Sequence, residues 1–335
     1  MKISASIYSD KSGDLKRTID QLEDHGIDML HVDCNDDLSV MDDIAQIRNW
    51  TNKPIDLHII SSEPEKYYDA IEKLQVEYTT FQFENLNGNF NKPSNYSGKL
   101  GIAITSDTPI EVYDQFKDDF DFILIMATTP GQSGGSFNHD NFKKIRAFRK
   151  RYPNTRIHVD GGVDGEISFI LRNMGIAAAV SGSFLFSHDY LGAALLNLKS
   201  DDVSSHFRVE DFKMDVDECP ILHSSDVSFI EVLEVIEEYR LGFSIFVDAD
   251  GKLEGIISNA DVRKGLLKHR DDLNEISVKE LINVKPVIAR DNCTISELLR
   301  CIKNQKFPIS YLPVLNDKNE VTGGLTFFNL IKGEL

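Results

Sequence analysis

The feature of this sequence that most constrains its fold is a regular alternation of β-rich runs with helical patterns from residue 2 to about residue 199. The runs predict eight short strands, at residues 2–7, 29–33, 54–59, 78–83, 100–104, 122–126, 156–160 and 177–180. Between them, apolar residues recur at helical spacing, as in Leu15, Ile19 and Leu22. Eight such units in about 200 residues predict an α/β domain, a compact (β/α)₈ barrel at residues 1–199.

A second domain follows a polar stretch that we interpret as a linker at residues 200–212. Beyond it the sequence repeats, because the pattern of residues 220–222 returns at 286–288 and that of 255–261 returns at 323–329. Each copy has the pattern strand, helix, two strands, helix. We therefore predict a smaller α+β module at residues 213–335, with copies at about 213–272 and 277–335.

Composition narrows the classes of function. A formal charge of −18 argues against broad binding of nucleic acid or of anionic membranes, although backbone N–H groups can still bind a phosphate. Neither a signal peptide nor a membrane span is recognisable. The four cysteines have neither metal-site nor disulfide spacing, and a reduced cytoplasmic location is expected; they are Cys34, Cys219, Cys293 and Cys301.

Histidine and aspartate residues lie at the C-terminal ends of three of the predicted strands. His31 and Asp33 end the second strand, His58 the third and Asp160 the seventh. Barrel enzymes carry their chemistry at the C-terminal ends of the strands, so these four side chains are expected to meet. Two imidazoles and two carboxylates form a plausible site for one divalent cation: Zn²⁺, Fe²⁺, Mn²⁺ or Co²⁺.

This arrangement predicts a reaction as well as a binding site. A cation can polarise the neighbouring carbonyl and hydroxyl oxygens of a sugar and stabilise an enediolate. Asp33 and Asp160 would then remove a proton on one face and return one on the other, which inverts the carbon centre. The alternative for each single histidine is an ordinary polar residue of a barrel interior.

Glycine clusters follow the sixth, seventh and eighth strands, where barrels commonly bind phosphate. They lie at residues 131–136, at Gly161-Gly162 and at Gly182-Ser183. The alternative is ordinary turn chemistry, since glycine is frequent in loops. The loop at residues 128–137 is glycine-rich enough to act as a lid.

Taken together, these motifs resemble the ribulose-phosphate 3-epimerase family across the whole barrel. The resemblance rests on Ser6-Ile7, His31-Val32-Asp33, Asp56-Leu57-His58, Met126, Pro130-Gly131, Gly134-Gly135-Ser136-Phe137, Asp160-Gly161-Gly162-Val163 and Ser181-Gly182-Ser183. It implies interconversion of D-ribulose 5-phosphate and D-xylulose 5-phosphate at C3, with Asp33 and Asp160 as the acid–base pair. It also implies four metal ligands and a substrate-binding set; the ligands are His31, Asp33, His58 and Asp160, and the set is Ser6, Met126, Gly134, Gly135, Gly161, Gly162, Gly182 and Ser183.

The sequence departs from this family in the shell around the ligands. Residues 34–38 replace the usual Met-Asp-Gly loop, Ile60 replaces a methionine, and Gln82 stands where histidine is frequent. His158 occupies a position often held by an acid, and we expect it to hydrogen-bond behind the ligands. These departures leave open another ketose phosphate, such as a hexulose 6-phosphate.

The C-terminal module resembles a tandem pair of CBS domains. The resemblance rests on residues 246–258 with Asp261, and on residues 312–315 with Gly323 and Thr326. It implies an adenine nucleotide bound through Ser258, Asp261 and Thr326, whereas Asn329 replaces an aspartate in the second copy. The alternative is a structural dimerisation module with empty clefts.

The sequence is therefore compatible with three different functions. The first is a metal-dependent ketose-phosphate 3-epimerase regulated through the CBS pair, and the second is an epimerase for another ketose phosphate. The third is a catalytically silent sensor that binds sugar phosphate or nucleotide. The expected partners are a small sugar phosphate and further copies of the chain, joined through the barrel or the CBS pair.

Overall fold

The computed structural model describes residues 1–86, 90–94, 96–200, 207–223, 227–270, 272–305 and 309–326. Contacts divide the chain into two compact units, Met1–Val203 and Ser204–Leu335. In the described part of the chain, no helix has the length and apolar character that crossing a bilayer requires.

The first unit is built on a closed barrel of eight parallel strands in chain order, with the eighth paired to the first. The strands are β1 Lys2–Ser6, β2 Met29–Cys34, β3 Ile55–Ile59, β4 Tyr78–Gln82, β5 Lys99–Ile104, β6 Phe122–Met126, β7 Arg156–Asp160 and β8 Ala178–Ser181. Strands of this kind are apolar on both faces because helices cover the outside, and every residue of β6 is buried. The predicted (β/α)₈ barrel is confirmed.

Helices cover the outside of the barrel. They are α1 Leu15–Asp24, α2 Val40–Trp50, α3 Tyr68–Lys73, α4 Asp140–Arg151, α5 Gly165–Asn173, α6 Ser183–Phe186 and α7 Leu191–Lys199. The Asp14 side chain caps α1 by accepting from the N–H of Arg17, and Asp164 caps α5 in the same way. The spacing of Ile19 and Leu22 buries one face of α1 against the strands.

The connections after β4 and β5 differ from the expected βα units. Among the residues described there, the helical segments are short 3₁₀ turns, Phe83–Asn85 and Ile110–Gln115. The first connection is rich in asparagine, with glycine and proline, and Pro109 precedes the second turn. These residues disfavour a continuous α-helix.

The second unit contains two three-stranded sheets, in the orders β11-β10-β9 and β12-β13-β14. The strands are β9 Ile221–Leu222, β10 Phe243–Val247, β11 Leu253–Ser258, β12 Ala289–Arg290, β13 Tyr311–Leu315 and β14 Val321–Thr326. The helices are α8 Val209–Phe212, α9 Phe229–Tyr239, α10 Asn259–Lys268, α11 Val278–Leu281 and α12 Ile295–Lys303. The same order of pairing in both sheets is the predicted internal repeat in an α+β module.

The end of the expected linker is structured. Helix α8 lies within residues 200–212, and the N–H of Val209 donates to the carbonyl of Cys293 at 2.8 Å. This segment therefore packs onto the second repeat because its backbone pairs there. The last helix expected for that repeat, with Asn329, lies outside the described residues.

Candidate active site

Strand register brings the predicted ligands to one end of the barrel. Asp33 on β2 pairs in register with His58 on β3, and His31 pairs with Asp56 one layer below. Asp160 is the last residue of β7, which β8 and β1 separate from β2 around the barrel. The two aspartates therefore approach the barrel mouth from different sides.

The four side chains converge on one small volume. The Nε2 atom of His31 lies 3.4 Å from Asp33 Oδ1 and 3.7 Å from Asp160 Oδ2. The Nδ1 atom of His58 lies 3.5 Å from the same Asp33 oxygen. One ligand atom from each of the four lies within 4.8 Å of the others. The structure thus brings together all four predicted metal-ligating residues.

Each imidazole is hydrogen-bonded on the side that faces away from the candidate metal centre, and this bond determines which ring nitrogen faces the centre. The Nδ1 atom of His31 lies 3.0 Å from the buried Asp56 carboxylate, which also accepts from the hydroxyl of Ser4 at 2.8 Å. The Nε2 atom of His58 lies 2.9 Å from Gln82 Oε1. Because one ring nitrogen of each histidine is bound on the far side, the opposite nitrogens, His31 Nε2 and His58 Nδ1, face the centre and are the atoms available to a metal.

These forward atoms have no other partner in the described structure. His31 Nε2, Asp33 Oδ1 and His58 Nδ1 are buried and without a hydrogen bond. Unpaired buried polar atoms are costly unless something binds them. A cation with bonds of about 2.1 Å needs ligand atoms no more than about 4.2 Å apart, so a small inward movement would complete the site. The residues present therefore fit a divalent metal.

The surroundings of Asp33 and Asp160 shift the pKa values of these two carboxyl groups in opposite directions. Burial would raise the pKa of Asp33, but the His31 imidazole beside it outweighs burial and holds that pKa far below its usual range. Burial raises the pKa of Asp160 to about 6. Burial alone would lower the pKa of His31, but Asp33 and Asp56 raise it well above its ordinary value. A cation that binds here replaces that imidazolium proton.

The glycine pair after β7 allows the chain to pass close to its neighbours. Gly161 and Gly162 have φ values of +112° and +65°, where other L-residues are strained. A Cβ atom on Gly162 would lie 2.2 Å from the backbone nitrogen of Phe137, and one on Gly161 would lie 2.3 Å from Thr128 Oγ1. The loop after β7 thus lies directly against the loop after β6.

The remaining substrate residues predicted from the sequence lie around the same mouth. Gly135 packs against Thr128, while a Cβ atom on Gly134, which has a φ of +91°, would meet no atom within 4 Å. Gly182 lies against Ser6 and Ser9, and Ser183 begins α6 and is exposed. Met126 is buried at the end of β6, in register with Asp160.

Comparison with known proteins places this barrel in a family. The sequence model of the ribulose-phosphate 3-epimerase family matches residues 2–186, more than half of the chain. The chain belongs to the ribulose-phosphate 3-epimerase family. It is therefore an isomerase, a carbohydrate epimerase.

Curated relatives carry the same family name. The ribulose-phosphate 3-epimerase of Methanocaldococcus jannaschii is 28% identical over 212 residues, which cover 59% of this chain and 90% of that protein. The Bacillus subtilis enzyme is 28% identical and covers 56% of this chain and 92% of its own length. The Schizosaccharomyces pombe enzyme is 27% identical, with coverages of 55% and 86%.

The C-terminal unit carries a second match. The CBS domain model matches residues 224–268 and 278–334, so the epimerase barrel is followed by a CBS pair. Similar solved structures include the CBS pair of protein MJ0100 in complex with 5′-methylthioadenosine and S-adenosyl-L-methionine, with a TM-score of 0.32, 23% identity and coverage of 38% of this chain and 98% of that one. CBSX2 in complex with AMP has a TM-score of 0.31, 23% identity and coverage of 38% and 96%.

The predicted CBS ligand residues lie at equivalent positions of the two sheets. Ser258 pairs in register with Phe243, and Thr326 pairs with Tyr311. The rings of Phe243 and Tyr311 stack with centroids 4.6 Å apart, so both hydroxyl residues flank one aromatic pair. Ser258 donates to Asp261 at 2.6 Å and caps α10, so these two residues already have a structural role.

One sequence expectation about the epimerase site is wrong. Among the described residues, His158 makes no hydrogen bond to a ligand and instead stacks on Phe122, with ring centroids 4.2 Å apart. It lies two residues before Asp160, in a lower layer of the barrel that aromatic residues fill. Burial there lowers the pKa of His158 to about 4.

Sequence reasoning assigned no role to three side chains that position the epimerase site. Asp56 precedes His58 by two residues, so strand alternation alone could have placed it on the inner face. Glu84 accepts a hydrogen bond from Gln82, and Ser9 lies 3.0 Å from the hydroxyl of Ser133 in the loop after β6. Ser9 and Glu84 have no comparable signal, because their contacts depend on how separate loops meet.

Proposed function

We propose that this chain is a metal-dependent 3-epimerase that interconverts D-ribulose 5-phosphate and D-xylulose 5-phosphate. The observation that carries the proposal is the convergence of His31, Asp33, His58 and Asp160 around one centre at the barrel mouth. The names of the curated relatives support the choice of pentulose phosphate.

The metal would be held by His31 Nε2, His58 Nδ1 and one oxygen from each aspartate. When bound, the cation supplies polarisation of the sugar carbonyl and stabilisation of the enediolate charge. Asp33 and Asp160 stand on β2 and β7 and reach the mouth from different sides. One carboxylate removes the proton from C3 on one face, and the other carboxyl group returns a proton to the opposite face, which inverts the configuration.

Without a cation, the surroundings of the two carboxyl groups separate their pKa values. The cation-free protein holds Asp33 ionised, whereas burial raises the pKa of Asp160 to about 6. Carboxyl groups whose environments separate their pKa values are typical of an acid–base pair. For the reverse reaction the two residues exchange roles.

The phosphate end of the substrate would lie on the glycine loops. Gly134, Gly161 and Gly182 follow β6, β7 and β8, on the side of the mouth where barrels bind phosphate. Gly135, Gly162 and Ser183 extend this surface, and Ser6 with Met126 would contact the sugar. Backbone N–H groups bind the dianion there without adding cationic side chains to an acidic protein.

Two alternatives remain open. The replaced loop after β2, in which Asn35 lies against Gly131 of the loop after β6, leaves open a different ketose phosphate such as a hexulose 6-phosphate. A silent sensor would need the carboxylates only for binding. The retention of both acid–base groups favours an enzyme over a sensor.

Exchange of the C3 hydrogen with solvent tests the proposed reaction. Metal-replete protein in D₂O is expected to incorporate deuterium at C3 of D-ribulose 5-phosphate while D-xylulose 5-phosphate forms. A two-carboxylate mechanism requires both outcomes because the returned proton comes from the protein and thus from solvent. Exchange with a hexulose 6-phosphate alone would select the second substrate, and no exchange with any ketose phosphate would support the sensor.

We also propose that the CBS pair binds an adenine nucleotide that regulates the barrel. Ser258 and Thr326 at equivalent sheet ends, with Asp261 beside the first, support this proposal. Calorimetry of the whole protein with AMP and ATP is expected to show saturable binding that Asp261→Ala weakens. Heat of dilution alone for both nucleotides would leave the pair a structural module.

A further inference from the structure

Behind the candidate metal centre, hydrogen bonds run outward from His58 to the loop after β5. His58 Nε2 lies 2.9 Å from Gln82 Oε1, and the Gln82 amide nitrogen donates to Glu84 Oε2. The other Glu84 oxygen accepts from the N–H of Thr105 at 2.9 Å and from the hydroxyl of Thr108. Gln82 is 1% exposed and Glu84 is exposed, so the chain connects a buried amide to the surface.

Each hydrogen bond in the series from His58 through Gln82 to Glu84 has a fixed donor and a fixed acceptor. A carboxylate only accepts hydrogen bonds, so Glu84 obliges Gln82 to turn its NH₂ group toward it. The Gln82 oxygen must then face His58 and can only accept, which places the proton on Nε2. The Nδ1 atom is left with its lone pair toward Asp33 and the centre.

The surroundings keep Glu84 ionised. Partial burial of the carboxylate would raise its pKa, but the bonds from Thr105, Thr108 and Gln82 outweigh it and lower the pKa below its usual value. The ammonium group of Lys144 donates to the backbone carbonyls of Thr105 and Ser106, at 2.5 and 3.1 Å, and this fixes the loop that carries the donors.

We infer that Gln82 and Glu84 are positioning residues that set the tautomer of His58 and thereby prepare its Nδ1 atom for the metal. The inference deepens the proposed function and rests on its metal site. It assigns a purpose to the glutamine in β4. An amide has both a donor and an acceptor, so Gln82 presents the acceptor to His58 only while Glu84 dictates its orientation.

Glu84→Gln tests the inference with almost no change in shape. The new amide would keep its oxygen toward the N–H of Thr105 and turn its NH₂ toward Gln82. Gln82 would then rotate and offer its own NH₂ to His58, which selects the tautomer protonated on Nδ1. Zinc affinity, measured by competition with a chelator, is expected to fall about 10- to 100-fold.

Exchanging the two residues should reverse the defect. In the double variant Gln82→Glu, Glu84→Gln, residue 82 accepts from both His58 and the new amide, so the original direction is restored. Zinc affinity is expected to return to within about threefold of wild type. Glu111→Gln, which removes an exposed charge near Lys144, is the matched control and should leave affinity unchanged.

Nitrogen-15 NMR of the metal-free protein at alkaline pH reads the tautomer directly, because protonated and unprotonated ring nitrogens have well-separated shifts. His58 should carry its proton on Nε2 in wild type and in the double variant, and on Nδ1 in Glu84→Gln. Unchanged zinc affinity or an unchanged tautomer in Glu84→Gln, or no recovery in the double variant, would overturn the inference. Neither readout uses a sugar, so failure of the proposed reaction would be seen separately.

Discussion

Asp160→Asn and Asp33→Asn are each expected to lower kcat for pentulose-phosphate epimerisation by about 10⁴-fold. An amide of the same size cannot accept the C3 proton, and positioned acid–base groups contribute up to about 10⁴-fold. Each substitution also replaces an anionic oxygen at the proposed metal. The far-ultraviolet circular dichroism spectrum should be unchanged, since both side chains lie at strand ends and not in the core.

The two variants should differ in which substrate still exchanges its C3 hydrogen. Asp33→Asn retains the Asp160 carboxylate, and Asp160→Asn retains that of Asp33, so each keeps the base for one face. Residual deuterium incorporation, followed by NMR in D₂O, should therefore be confined to opposite epimers in the two variants. Exchange without inversion is the specific signature of two bases on opposite faces.

Asp121→Asn is the matched control for both variants. Asp121 is an exposed carboxylate immediately before β6, at the opposite end of the barrel, where it accepts from the N–H of Leu100 at 3.0 Å. Its replacement should leave kcat within about twofold of wild type. If Asp33→Asn or Asp160→Asn kept more than a tenth of wild-type kcat, the two-carboxylate mechanism would be wrong.

Removal of the metal is the second change with a large expected effect. Dialysis against a chelator should lower kcat at least about a hundredfold, since a bound cation supplies several kcal/mol of charge stabilisation. The melting transition of the barrel should also fall. Metal at 100 times its dissociation constant stabilises the folded state by about 2.7 kcal/mol, which corresponds to about 5–10 °C for a domain of this size.

Two buried histidines, His58 and His158, provide a test variant and a matched control for the metal experiment. His58→Gln removes the forward Nδ1 atom and should abolish the thermal shift on adding zinc. His158→Gln changes an equally buried imidazole that stacks on Phe122, and it should leave the zinc-induced shift in place. Equal responses of the two variants to zinc would argue against His58 as a ligand.

The strands and the convergence of the four residues could be predicted from the sequence, because both depend on local sequence patterns. Alternation within a strand places His31 and Asp33 on one face, and parallel strands that follow one another bring their C-terminal ends to the same edge. The register between β2 and β3 then sets Asp33 beside His58. Little beyond periodicity and chain order is needed for that prediction.

The residues that hydrogen-bond behind the four candidate ligands were harder to predict from the sequence, because they depend on contacts between distant segments. The 3₁₀ turn after β4 carries Glu84 to the loop after β5, where Thr105 and Thr108 donate to it. His158 was expected to bond to the ligands, but the aromatic layer that holds it arises from β6 as well as β7. Sequence spacing in a single strand does not report such pairings.

Anomalous diffraction from a zinc-loaded crystal, recorded at the zinc absorption edge, would show whether the four side chains bind one metal ion. We expect one strong peak at the barrel mouth, about 2.0–2.2 Å from His31 Nε2, His58 Nδ1 and an oxygen of each of Asp33 and Asp160. A peak located elsewhere, or none in protein soaked with excess zinc, would contradict this expectation.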